Sequence, residues 1–262
     1  MAIKVNANNY ESQESAEKEL RITEHIIKVN TQHLGRNFVA ILLDSFCVAS
    51  PGGIYICMVF DALCEPLWML KRRFEGNTIP LDVLKPVSKL ILEGLQYLHT
   101  ECHVINTDLK SDNILLALRN PSILESVAQD EMNNPSPRKQ LEGRDIYLSR
   151  NYWGCRPTNW VDRHCIQPEG YRAPEVCLGG DRSYSVDFWN LGVMLWDLFY
   201  GRGPFDTPPD SCGSGSADEA HLGKIISLLG PPPPDLLGRG KETSRTIQIP
   251  RTRRKKGPGF YG

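Results

Sequence analysis

The sequence predicts an α+β fold in two lobes, a small antiparallel sheet followed by a mainly helical part. Three observations lead to this. Most short strand-like apolar runs lie before residue 61. Beyond residue 80, apolar residues recur at helical steps of three and four. A chain of 262 residues is long enough to bury the core that two lobes need.

Ala2 to Val5 reads as a short strand. Residues 11–29 are rich in Glu, Lys and Ala, with Ala16, Leu20, Ile26 and Ile27 at helical spacing. Phe38–Leu43 and Ile54–Phe60 read as two strands, and Pro51-Gly-Gly53 between them marks a hairpin turn. Leu81, Leu84, Val87, Leu90, Ile91, Leu95 and Leu98 form one long apolar face, in which Pro86 is expected to kink or weaken the helix. Val186, Trp189, Val193, Trp196 and Tyr200 predict a second apolar helix. A third runs from His221 to Leu229 and stops at Pro231–Pro234. Residues 117–145 are polar and read as a loop or insert, and 207–217 as another loop. From Gly238 the chain loses apolar periodicity, runs into the basic string Arg251–Lys256, and is expected to be disordered. The organisation is thus 1–62 for the first lobe, 63–237 for the second, with their junction near 61–66, and 238–262 for a tail.

A formal net charge of -1 gives no reason to expect direct nucleic-acid binding. No stretch approaches the ~20 apolar residues of a membrane span, and the N-terminus lacks a secretory pattern. Cytoplasm, nucleus or both is the expected location. None of the eight cysteines forms C-x-x-C, so zinc spacing is lacking and reduced, mostly buried thiols are expected.

The residues that carry chemistry begin with Thr107-Asp-Leu-Lys-Ser-Asp-Asn113, placed between the long helix and a short apolar run. Phosphoryl transfer needs a carboxylate to orient the attacking hydroxyl, a cation on the transferring phosphate and a nearby metal ligand. Asp108, Lys110 and Asn113 supply these three types. Arg172-Ala-Pro-Glu175 follows, and then Asp187-Phe-Trp-Asn-Leu-Gly192. Ala2-Ile-Lys4 precedes them all, with Glu19, or else Glu17, on the helix behind it.

In this order the strings resemble those of the eukaryotic protein kinases, over roughly residues 2–236. The resemblance implies a bilobal kinase fold with a truncated first-lobe sheet, using ATP and Mg²⁺. Asp108 and Lys110 would be catalytic. Lys4, paired with Glu19, would hold the nucleotide's phosphates, and Asn113 a magnesium ion. Phe60 would guard the back of the adenine pocket, and backbone at Asp61 to Leu63 would bind adenine. Arg172 and Glu175 would close and anchor the activation segment, Glu175 through an ion pair. Asp187 would accept hydrogen bonds from the catalytic-loop backbone. Lys110 favours the serine/threonine kind. Thr107, Ile166-Gln-Pro-Glu169 with Tyr171–Glu175, Tyr147–Arg150 and His221–Pro232 are similar to the SR-protein kinases, which implies Arg/Ser-rich splicing factors as protein substrates.

The sequence also departs from that pattern. No glycine-rich loop precedes Lys4, so the family's first two strands are missing and a sheet edge is left unpaired. Asn106 stands where histidine is usual. No Asp-Phe-Gly lies between Asn113 and Arg172; Asp162 is followed by neither Phe nor Gly. The last helices of the second lobe are replaced by the basic tail, whose run 251–256 reads as a solvated tail or a nuclear-import signal. Two readings follow: an ATP-dependent serine/threonine kinase, or a catalytically dead pseudokinase or truncated product serving as a binding module. The chain as written is expected to be nearly inactive in transfer.

Overall fold

The computed structural model describes residues 1–6, 10–51, 53–141, 144–147, 169–206 and 217–243. Strand β1 (Ala2–Val5), helix α1 (Tyr10–Lys28) and strands β2 (Leu42–Ser50) and β3 (Gly53–Phe60) come first. The strands form an antiparallel sheet in the order β1-β3-β2, so β3 is central and β1 lies at an edge. The turn at 50–53 closes the hairpin as expected, with Ser50 opposite Gly53 and Gly53 at φ +124°. Leu42, Met58 and Phe60 pack beneath Leu20 and Ile27 of α1, giving this lobe its core.

The strand expected at 38–43 lies later in the chain. Residues Leu34–Phe38 form a tight 3₁₀ turn instead, started by the His33 ring, whose Nδ1 accepts from the Gly35 N–H at 3.0 Å. β2 then runs to Ser50 through Asp44, Ser45 and Cys47. Phe46 and Val48 are exposed on it, so its residues follow no clean buried pattern.

Residues 61–66 lead from the sheet to the helices. These are α2 (Leu67–Lys71), α3 (Leu81–Gln96), α4 (Ser122–Asn133), α5 (Pro174–Cys177), α6 (Ser185–Tyr200), α7 (Ala217–Leu229) and α8 (Pro234–Arg239). α3 continues through Pro86 and ends in a π turn over Tyr97–Glu101. Pro86 is exposed and lies in the second turn of the helix, where its missing N–H removes one backbone hydrogen bond. α3 packs on α6 through Leu84, Ile91, Leu95, Leu191, Met194 and Leu198, the main core. A second cluster joins Leu178, Val193, Phe205, Leu222 and Ile225.

Two regions are more ordered than their composition suggests. Residues 117–145 hold α4 and the start of a hairpin of β4 (Arg138–Leu141) and β5 (Arg144–Tyr147). No residue of α4 is buried, which is why it left little apolar signature. The tail boundary at Gly238 also shifts. Gly230, at φ +88°, ends α7, and Pro233 and Pro234 then start α8. Leu236 and Leu237 pack on the second cluster, and the Glu242 N–H donates to Leu178 O at 2.9 Å. The basic run 251–256, the loop 207–216, Asp162, and residues 148–150 and 166–168 lie outside the described residues. Among the described cysteines, Cys57, Cys102 and Cys177 are buried, whereas Cys47 is exposed. No helix among the described residues is long and apolar enough to cross a membrane.

The Leu34–Phe38 turn ties the sheet to α3. A methyl group on Gly35 would run into the Glu93 carbonyl of that helix. Gly35→Ala should therefore cost about 1–3 kcal/mol, read as a lower denaturation midpoint. Gly223→Ala in α7 meets open space and should raise the midpoint by about 0.5–1 kcal/mol.

Candidate active site

β1 points Lys4 toward α1, where its Nζ meets both carboxylate oxygens of Glu19 at 2.6 and 2.7 Å. Glu19 is 5% exposed. Burial pushes its carboxyl above the ordinary carboxylate range, and Lys4 opposes that shift. An ion pair this dry needs close contact to offset its desolvation, and two short contacts provide it. Glu17, the second choice for this partner, is exposed.

The loop after α3 carries the other group of site residues. Asp108 Oδ2 accepts from Asn113 Nδ2 at 2.8 Å, and Oδ1 lies 3.1 Å from Lys110 Nζ. Asn113 Nδ2 also donates to the Asp108 carbonyl at 2.8 Å. These contacts leave Asn113 Oδ1 as the side-chain atom able to face a cation. Magnesium takes one or two protein oxygens together with phosphate oxygens, so Asn113 Oδ1 suits one ion. No cluster of three or more His, Cys, Asp or Glu fit to hold a metal occurs among the described residues.

The loop itself is held from behind. Asp187 is fully buried at the start of α6. Its Oδ2 accepts from the Asn106 N–H at 2.8 Å and its Oδ1 from the Thr107 N–H at 2.8 Å. His99 Nε2 donates to Oδ2 at 2.7 Å, a third donor that the sequence reading did not include. The His99 ring stacks on Tyr184, centroids 4.4 Å apart. Thr107 is held at φ +65°, a conformation a β-branched residue takes only when its surroundings impose it.

A cavity of about 570 Å³ lies between the two lobes. Phe60, Asp61 and Leu63 line it, with Asn106, Asp108 and Asn113 on the loop side. Its apolar wall comes from α3, through Val87, Ile91 and Leu95. Lys4 and Glu19 lie outside its lining.

Arg172 and Glu175 sit farther along, near α5 and α7. Among the described residues, Glu175 Oε1 accepts from Ser185 Oγ at 2.7 Å, and the ion pair of this segment is made by Arg172 with Asp218. Asp218 and Ser185 belong to neither motif, so nothing in the motif strings pointed to them. His221 Nε2 donates to the Arg172 carbonyl at 2.8 Å, and burial holds its imidazole below the ordinary histidine range. Burial also pushes the Cys177 thiol up to about 12, which leaves it unreactive.

With this geometry in place, comparison with known proteins is informative. A family model described as the protein kinase domain matches residues 1–222. The chain belongs to the protein kinase family. Its fold is accordingly the bilobal kinase fold with a shortened first-lobe sheet. A serine/threonine protein kinase of Aspergillus fumigatus is 31% identical over 253 residues, covering 87% of this chain and 58% of that protein. The serine/threonine-protein kinase SRPK of Physarum polycephalum is 30% identical over 276 residues, covering 94% and 64%. SKY1, a serine/threonine-protein kinase of Saccharomyces cerevisiae, is 37% identical over 108 residues, 40% of this chain and 15% of that protein. This kinase chain thus spans less than two thirds of the length of each of these relatives.

Two outcomes follow for this kinase chain. Asp187→Asn replaces one acceptor oxygen by an NH₂ facing a buried donor, and should cost about 3 kcal/mol, read by denaturant unfolding. His221, neutral in the fold, adds its full share of stability above about pH 6.5 and loses it as pH falls through its lower folded value. The unfolding midpoint should fall between about pH 7.5 and about pH 5.5, and fall less in His221→Gln.

Proposed function

We propose that this chain is an ATP-dependent serine/threonine kinase acting on Arg/Ser-rich proteins in the cytoplasm or nucleus. The observation that carries this reading is the Asp108 carboxylate, fixed on one oxygen by Asn113 and on the other by Lys110, in a loop pinned by Asp187. Phosphoryl transfer requires little of a protein beyond positioning and charge neutralisation. Asp108 orients the serine hydroxyl and accepts its proton. Lys110, beside it, neutralises charge on the transferring phosphate.

The remaining residues serve the nucleotide. Backbone at Asp61 to Leu63 meets adenine in the interlobe cavity, with Phe60 at its back. Lys4, set by Glu19, meets the phosphates. Asn113 Oδ1 would hold a magnesium ion, which would neutralise charge on the phosphate oxygens. Arg172, Glu175 and Asp187 hold the helical frame of the site. The Arg/Ser preference rests on the kinship with SRPK of Physarum polycephalum. The relatives matched are kinases, and none of them favours the non-catalytic alternative.

The purified chain should transfer the ATP γ-phosphate to an Arg-Ser repeat peptide, and not to the same peptide with alanine for serine. Transfer will be slow, because the sequence between Asn113 and Arg172 holds no Asp-Phe-Gly to supply a metal-binding carboxylate. Asp108→Ala should lower kcat at least ~100-fold. Transfer that is indifferent to this substitution would rule out the proposed role of Asp108.

A further inference from the structure

Asn106, standing where histidine is usual, is a departure from the kinase pattern that sits inside the site itself. Its backbone N–H donates to Asp187, as does that of Thr107. The two oxygens of Asp187 are then occupied by Asn106, Thr107 and His99. The next N–H in the chain belongs to Asp108, and it donates to Asn106 Oδ1 at 3.1 Å. The Asn106 side chain thus spans the left-handed residue Thr107 and ties the loop on its far side.

We propose that Asn106 is a positioning residue for Asp108, a role that rests on the kinase reading above. The other ties on Asp108 come from residues that follow it, Lys110 and Asn113. Asn106 supplies the tie from the preceding side. Without it, the peptide joining Thr107 to Asp108 is free to rotate, and the carboxylate leaves the loop in more than one direction. The effect falls on the transfer step, since Asn106 acts through Asp108 and not on the peptide substrate. An oxygen acceptor is what the position requires, so aspartate should serve and leucine should not.

Residue-resolved amide hydrogen exchange on the full chain, joined to kinetics, tests this. In the wild-type chain the Asp108 N–H is protected. Asn106→Leu, close in size but without an acceptor, speeds exchange at Asp108 about ten-fold. The Asn106-position and Thr107 amides, held by Asp187, keep their protection. Asn106→Asp restores protection at Asp108. With an Arg-Ser peptide, Asn106→Leu lowers kcat about ten-fold and leaves KM unchanged, and Asn106→Asp recovers most of the loss. An unprotected Asp108 N–H in the wild-type chain overturns the proposal, even if the leucine variant does not fold. Equal loosening of all three amides, or a raised KM with unchanged kcat, overturns it too. A wild-type chain that transfers no phosphate defeats the kinase reading, whereas the exchange pattern still decides whether Asn106 holds Asp108.

Discussion

Asp187 carries a carboxylate with no access to water, and only its three donors make that tolerable. The donors and their acceptor join three parts of the active-site frame. His99 belongs to the end of α3, Asn106 and Thr107 to the loop, and Asp187 itself to α6. The same charge therefore fixes the helix pair at the core and the backbone from which Asp108 projects. Thr107 keeps its unfavourable φ because both of its neighbouring peptide groups are held in place. A second buried contact repeats the logic at the other end of α6, where Lys71 of α2 meets both oxygens of Asp197 at 3.0 Å.

The polar residues of the site were legible in the sequence because their chemistry depends on spacing along the chain. Asp108, Lys110 and Asn113 lie within one loop, so their proximity follows from the string itself. Lys4 and Glu19 were readable as a pair only through the resemblance to the protein kinases, because the strand, helix and hairpin follow in that family's order. His99 was not readable. It stands in an apolar helix run beside Leu95 and Leu98, and the π turn at Tyr97–Glu101 alters the phase that a regular helix would give it. The partners of Arg172 and Glu175 were hidden for another reason, since Asp218 and Ser185 reach them only through the packing of α5, α6 and α7.

Elements that bury an apolar face were legible, and those that do not were obscured. α3 and α6 could be drawn from their periodicity because they pack against each other. α4 buries nothing, and the first half of β2 is interrupted by Asp44 and Ser45, so neither has a face that its residues must respect. α8 was obscured by the four prolines that precede or begin it, of which the last two cap and start it.

The Tyr97 hydroxyl shows how the two lobes constrain one another. It lies between the carbonyls of Ile26 and Val29, at 2.6 and 2.7 Å, where α1 ends. α1 is thus a lever with its pivot on α3, and Glu19 rides on its arm about 10 Å from that pivot, seven residues at 1.5 Å each. A tilt of about 10° at the pivot swings Glu19 by about 2 Å, enough to take its carboxylate out of hydrogen-bond reach of Lys4. A small rotation on the helical side is thereby magnified into the making or breaking of an ion pair on the sheet side.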